Sequence, residues 1–341
     1  MQPSVLPPST PSQWSPVLHQ LQLAWDSTSL GLLKECPRKY QLSIYFGYAS
    51  RLENIHQTWG RIYHSALELY DRLRVLKGQL KWRYHEKLPP KIYESINGFD
   101  FHSAQREAVR HVLVAAWDYD LNRPWISDFP QKTRETLVRA IIWYLETFRD
   151  DLAQTIILTN GQPAVEISFR FEPQIATRTT GENFLICGHL DKLKRFEGKV
   201  WIVDLKSTYH ALTEEYFAQF NPDNQMSLYD FGGTFIFRDE PIEGIIIDAV
   251  QTGVTFTRFQ RGFTHRTEDL RAEWVEETQY WLHQAEDLVL RYGDKPWPKN
   301  DRACYGCQFR DVCAESPTMR QHILTTRFIK RNWNPLITRE V

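Results

Sequence analysis

Residues 184–206 constrain the fold of this chain more than any other stretch. Phe184–Arg195 and Val200–Lys206 are rich in Phe, Leu, Ile, Trp and Val, and Glu197-Gly198 separates them as a turn, so the segment reads as a β-hairpin. A two-residue turn pairs Phe196 with Lys199, and counting outward sets Asp191 opposite Asp204. Lys206 lies two residues further along and shares their face. Directly opposed residues have Cβ atoms about 4.5–5.5 Å apart, and like charges placed there destabilise a sheet. A divalent cation between the carboxylates reverses that penalty, because hard cations take carboxylate oxygens. An isolated Asp-x-Lys is common by chance, and a hairpin with scattered surface charge would explain it. Here the turn arithmetic and the cysteines argue for more.

Five cysteines occur, and three of them form the compact set Cys304-x2-Cys307-x5-Cys313. Thiolates at such spacing bind zinc or an iron–sulfur cluster. Cys36, flanked by Lys34, Glu35, Arg38 and Lys39, is the natural fourth ligand, whereas Cys187 sits inside an apolar strand as an ordinary buried thiol. Zinc sites usually combine two close pairs, so a lone upstream cysteine plus a triplet tilts toward iron–sulfur. A cluster using Cys36 would staple the two ends of the chain.

Residues 1–25 open with a run rich in Pro and Ser and are expected to be a poorly ordered lead-in. Helical spacing of Trp59, Ile62, Tyr63, Ala66, Leu69 and Leu73 predicts a helix over 58–76 that carries His64. Residues 77–160 read as mostly helical, and strand-like runs follow at 164–173, 184–195, 200–206, 244–251 and 255–264. Helices are expected at 213–231 and 267–292, the first crossing over between parallel strands. Glu166 opens the first of these strands, and His189 shares the Asp191 face by parity. The net charge is -1, which supplies no global basic field, so a polyanion must meet a local patch. Arg258, Arg261 and Arg266, interleaved with Phe256, Phe259 and Phe263, offer one. No apolar run reaches the roughly 18 residues of a membrane span, and no signal-peptide pattern opens the chain, so a cytoplasmic location is expected.

In combination, Gly60-x3-His64, Gly188-x2-Asp191, Asp204-x-Lys206, Gln225-x3-Tyr229 and the one-plus-three cysteines resemble the RecB-like branch of the PD-(D/E)XK nuclease superfamily. The likeness is to its iron–sulfur form, found in AddB-type subunits and CRISPR-associated RecB-like exonucleases, and it spans about residue 31 to 313. It implies an α/β, restriction-endonuclease-like fold: a mixed central sheet flanked by helices, with a helical insertion and a four-cysteine iron–sulfur staple. The nuclease domain would occupy 26–313, with its insertion at about 77–160 and its catalytic sheet at about 164–264, followed by a C-terminal tail at 314–341. By the same resemblance, His64, Asp191, Asp204 and the carbonyl of Leu205 hold Mg2+ or Mn2+. Lys206 positions or activates the attacking water, and Gln225 and Tyr229 support the lysine or contact DNA. Cys36, Cys304, Cys307 and Cys313 hold one [4Fe–4S] cluster.

The implied activity is metal-dependent hydrolysis of DNA phosphodiesters, as an exonuclease on single strands or ends, in recombination, repair, replication or defence. A structure-specific endonuclease on the same core and a non-catalytic iron–sulfur DNA-binding scaffold are the alternatives. The chain carries no Gly-x4-Gly-Lys-Ser/Thr loop, which leaves any motor to a separate helicase or recombination partner.

Overall fold

The structure is a computed structural model and describes residues 12–18, 20–51, 54–237 and 240–337. Seven strands form the central sheet: β1 (Ala24–Trp25), β2 (Gln154–Thr155), β3 (Val165–Phe171), β4 (Leu185–Phe196), β5 (Lys199–Thr208), β6 (Ile242–Thr252) and β7 (Thr257–Thr264). Their order is β1-β4-β5-β6-β7, with β2 and β3 also paired to β4. The β4–β5 hairpin turns where the sequence predicts, with Phe196 opposite Lys199. β5 and β6 run parallel, which a tight turn cannot achieve, and the chain between them crosses over through helices.

Seven longer helices surround the sheet: α1 (Ser27–Glu35), α2 (Ile55–Val75), α3 (Phe101–Ala115), α4 (Arg134–Thr147), α5 (Asn224–Ile236), α6 (Glu268–Tyr292) and α7 (Pro317–Arg327). α2 starts where the Asn54 side chain accepts from the His56 amide, and it buries Trp59, Ile62, Tyr63, Ala66 and Leu69 on one stripe. That stripe packs with α3 and α4 against Leu205 and Val250 of the sheet. On the other side, Ile202, Ile245 and Ile247 bury against α1, α5 and α6. The result is the expected mixed sheet flanked by helices.

Four expectations need correction. The lead-in does not extend to residue 25, because Leu21, Ala24 and Trp25 are wholly buried and β1 pairs with β4; residues 1–11 lie outside the described part. The helix expected over 213–231 divides into Glu214–Ala218 and α5, since Pro222 between them lacks the amide that a continuous helix requires. The insertion also contains two short hairpins, Gly78–Trp82 with Lys91–Ser95 and Trp117–Asp118 with Arg123–Pro124. Finally, residues 314–337 of the expected tail carry regular structure: α7 leads into Phe328–Lys330, which pairs with Tyr48–Ser50.

Candidate active site

The hairpin ladder runs from Phe196–Lys199 to Lys192–Val203 and stops one step before the two aspartates would face each other. Instead of completing that pair, the Asp191 carboxylate accepts the Leu205 amide N–H at 2.9 Å. β4 and β5 therefore part at this point, and the carboxylates occupy the opening. On β3, Glu166 adopts φ 51°, a left-handed conformation uncommon for any residue but glycine, between the paired positions Val165–Lys192 and Ile167–Leu190. Such local strain in the middle of a strand is characteristic of sites where a side chain is aimed.

His64 arrives from α2, with its Nδ1 3.5 Å from Asp191 Oδ2. One ligand atom each from His64, Glu166 and Asp191 lie within 4.8 Å of one another. Asp204 is buried, and its Oδ2 accepts from the Lys206 ammonium at 2.7 Å. Lys206 donates to Gln225 Oε1 at 2.7 Å, and Gln225 Nε2 donates to the Tyr229 hydroxyl at 3.0 Å, so one turn of α5 fixes the ammonium. The glycine of one motif has a steric reason: a Cβ on Gly188 would clash with the Phe169 ring.

Electrostatics pull the two aspartates apart. Burial alone would raise Asp191, but His64 and the Leu205 amide hold it below the usual carboxylate range. Burial and then the neighbouring Asp191 charge push Asp204 up, against the pull of Lys206. His64 is raised despite its burial, because Asp191, Glu166 and Asp204 surround it. Lys206 is likewise raised by Asp204 and Asp191 against its own desolvation. Three carboxylates, an imidazole and one ammonium converge here. This donor set of carboxylate oxygens beside an imidazole suits a hard divalent cation.

Every residue anticipated for this site is brought to it. Leu205 enters through its amide, and Glu166 sits closer to His64 and Asp191 than its place in the sequence indicated. Alternation along β3 marks Glu166 only as a polar residue among apolar ones; the left-handed φ leaves no signal in the pattern. His189 does not join the cluster. Its Nδ1 meets Ser168 Oγ at 2.8 Å in a pocket beside Pro335–Ile337, because the strand irregularity at Glu166 and Asp191 breaks the parity count. The arginine patch also dissolves: Arg261 pairs with Asp151 and Asp248, and Arg266 is buried against Ser227 and the Phe220 carbonyl, leaving Arg258 exposed.

The cysteines gather at the chain ends. The Asn300 amide donates to Cys36 Sγ at 3.4 Å, while the Cys304 thiol approaches the Asn300 carbonyl at 3.8 Å. Burial raises the Cys313 thiol, Arg38 pulls it back, and the charges of Cys307 and Cys36 reach it too, which places these sulfurs in one neighbourhood. Cys187 is elsewhere, buried in β4 with its thiol pushed up to about 12 by desolvation.

No curated protein matches the chain. Among solved structures, a provisionally named exonuclease from Eubacterium rectale aligns over 88% of this chain and 92% of its own, at 10% identity and TM-score 0.43. The protein SSO0001 aligns over 53% and 76%, at 15% identity and TM-score 0.28. The family described as the PD-(D/E)XK nuclease superfamily matches residues 25–314, from β1 through the last of the clustered cysteines. The chain belongs to the PD-(D/E)XK nuclease superfamily.

Proposed function

We propose that this protein is a RecB-like, metal-dependent deoxyribonuclease, an exonuclease acting on single-stranded DNA or DNA ends, with one nuclease domain over 26–313 and a [4Fe–4S] staple. The observation that carries this reading is the convergence of His64, Glu166, Asp191, Asp204 and Lys206 where β4 and β5 part. His64, Asp191 and Asp204, with the carbonyl of Leu205 and the added carboxylate of Glu166, would hold Mg2+ or Mn2+. The bound ion would supply an acidified water and offset charge on the scissile phosphate.

The chain's own residues do the rest. Asp191 and Asp204 are fixed before substrate arrives, one by a backbone amide and one by an ammonium, so little reorganisation accompanies binding. Gln225 holds Lys206 in a single position, from which its ammonium can orient water or meet growing negative charge. Tyr229, buried and kept protonated by desolvation and by the carboxylates, anchors Gln225 in turn.

Four thiols from the two chain ends support the cluster. An amide N–H directed at Cys36 Sγ is the kind of contact that tunes such clusters. The protein would work in the cytoplasm beside a separate helicase or recombination partner.

The decisive experiment incubates end-labelled linear and closed circular single-stranded DNA with Mg2+ or Mn2+ and with chelator. Metal-dependent loss of linear DNA alone supports the exonuclease, and cutting of the circle replaces it with an endonuclease. No cleavage in any metal by brown, iron-replete protein rejects the enzyme. Iron and sulfide near four per chain support the cluster, and stoichiometric zinc without iron rejects it.

A further inference from the structure

Beyond Lys206 the catalytic strand continues as Ser207-Thr208 and ends in a pile of rings. Tyr209 stacks on His56 of α2, with centroids 5.5 Å apart and planes at 29°. Phe129 meets His56 at 4.7 Å and Tyr209 at 5.0 Å, both edge-on, and His210 lies 4.1 Å from Tyr209. This pile is not core. Tyr209 remains 42% exposed, and His210 is exposed as well. Three residues at about 3.3 Å each put Tyr209 within ~10 Å of Lys206, a span of one or two nucleotides.

A groove of about 660 Å3 begins where the pile ends. Ala211–Thr213, the next residues of the chain, form one wall. Gln251, the sheet partner of Thr208, lines it too, and Trp143 and Arg258 stand along its sides. Trp143 is 44% exposed, and the Arg258 guanidinium rests over the Phe256 ring at 4.9 Å. Partly exposed rings in series with a cation are the elements by which proteins follow a single strand without reading its sequence. Lys132 completes the arrangement from behind. It is wholly buried, with its ammonium 4.0 Å from the Trp59 ring. Burial, with the charge of Lys132 and of His210, holds the His56 imidazole below its ordinary value, which leaves a neutral ring suited to stacking.

We propose that a single DNA strand passing the Asp191–Asp204 site lays one base on the Tyr209–His56 pile and continues into the groove between Trp143 and Arg258. The proposal rests on the nuclease reading and adds the path of the strand. It is tested with single-stranded oligonucleotides carrying 2-aminopurine at successive positions, bound to full-length protein in EDTA so that nothing is cut. The expected result is strong fluorescence quenching at one or two adjacent positions. Tyr209→Ala should relieve it and weaken binding by roughly tenfold, the order of one lost base–aromatic stack. Tyr209→Phe should preserve both, and Trp143→Ala should relieve quenching only at neighbouring positions. Unchanged quenching and affinity in Tyr209→Ala would overturn the path while leaving the nuclease in place. A wild-type protein that binds no DNA at all, in EDTA or with Mg2+, would overturn both.

Discussion

Two clusters of charge are buried against the central sheet, and they are built on opposite principles. In the first, Lys192 pairs with Asp71, Lys194 with Asp151, and Arg261 with both Asp151 and Asp248. Three carboxylates meet three cations, and the Tyr144 hydroxyl donates to Asp248 at 2.7 Å. In the second, Glu166, Asp191 and Asp204 face Lys206 and an imidazole. The first cluster is closed, for its charges pair with one another away from solvent. The second is open: it borders the gap where β4 and β5 part, and His64, Asp191 and Lys206 keep part of their side chains exposed. Buried ion pairs are common structural devices, so burial alone does not mark a working site. The opening does.

The largest effect that can test this contrast is on catalysis. Asp204→Ala should lower cleavage by about a thousandfold or more, since it removes both a metal ligand and the partner of Lys206. In chelator, the same variant should be no less resistant to urea than wild type, because it loses a repulsion. Cleavage at the wild-type rate by folded Asp204→Ala would erase the distinction.

The mirror experiment is Arg261→Ala, which strands Asp151 and Asp248. It should destabilise the fold by about 3–5 kcal/mol in urea denaturation, while cleavage per folded molecule persists. A stable but inactive Arg261→Ala would move the closed cluster into the catalytic machinery.

Metal-linked stability comes next in size. Mg2+ at a hundredfold excess over its Kd should stabilise wild type by about 2.7 kcal/mol. The increment should survive in Arg261→Ala and vanish in Asp204→Ala; equal increments in all three would place the ion elsewhere.

The smallest effect is on pH. Burial would raise Asp151, but hydrogen bonds from Arg261 and the charge of Lys194 hold it well below the usual carboxylate range. A depressed carboxylate adds stability above its unfolded value of about 3.9 and loses it as pH falls through the folded one. Urea midpoints should therefore decline below about pH 4 more gently in Asp151→Asn than in wild type. Parallel declines would show that the closed cluster contributes no acid sensitivity.

The same contrast explains what the sequence could tell. The open cluster was legible because most of it is local: a two-residue turn sets the β4–β5 register, and Gln225 and Tyr229 fall one helical turn apart. What escaped there was fine geometry. Ladder counting assumes that each backbone amide goes to the facing strand, and Leu205 gives its amide to Asp191 instead. The closed cluster left no trace in any window, since Asp151 and Arg261 are 110 residues apart and no periodicity connects them. Arg261 and Arg266 looked like surface arginines for that reason. The chain ends were misjudged similarly. A Pro- and Ser-rich opening gives no hint that Leu21 and Trp25 lie in the core, and nothing local announces the strand at Phe328–Lys330.

That last pairing has a consequence for how the protein is made. Tyr48–Ser50 leaves the ribosome about 280 residues before its strand partner Phe328–Lys330. Cys36 must wait similarly for Asn300 and the cysteines that follow. At about 5–20 residues per second, the interval is roughly 15–60 s. Throughout it, the nascent segment holding Cys36 and Tyr48–Ser50 carries an unpaired strand edge and an unsequestered thiol. Both are surfaces on which chaperones act, so the yield of this protein should depend on what shelters that segment during translation.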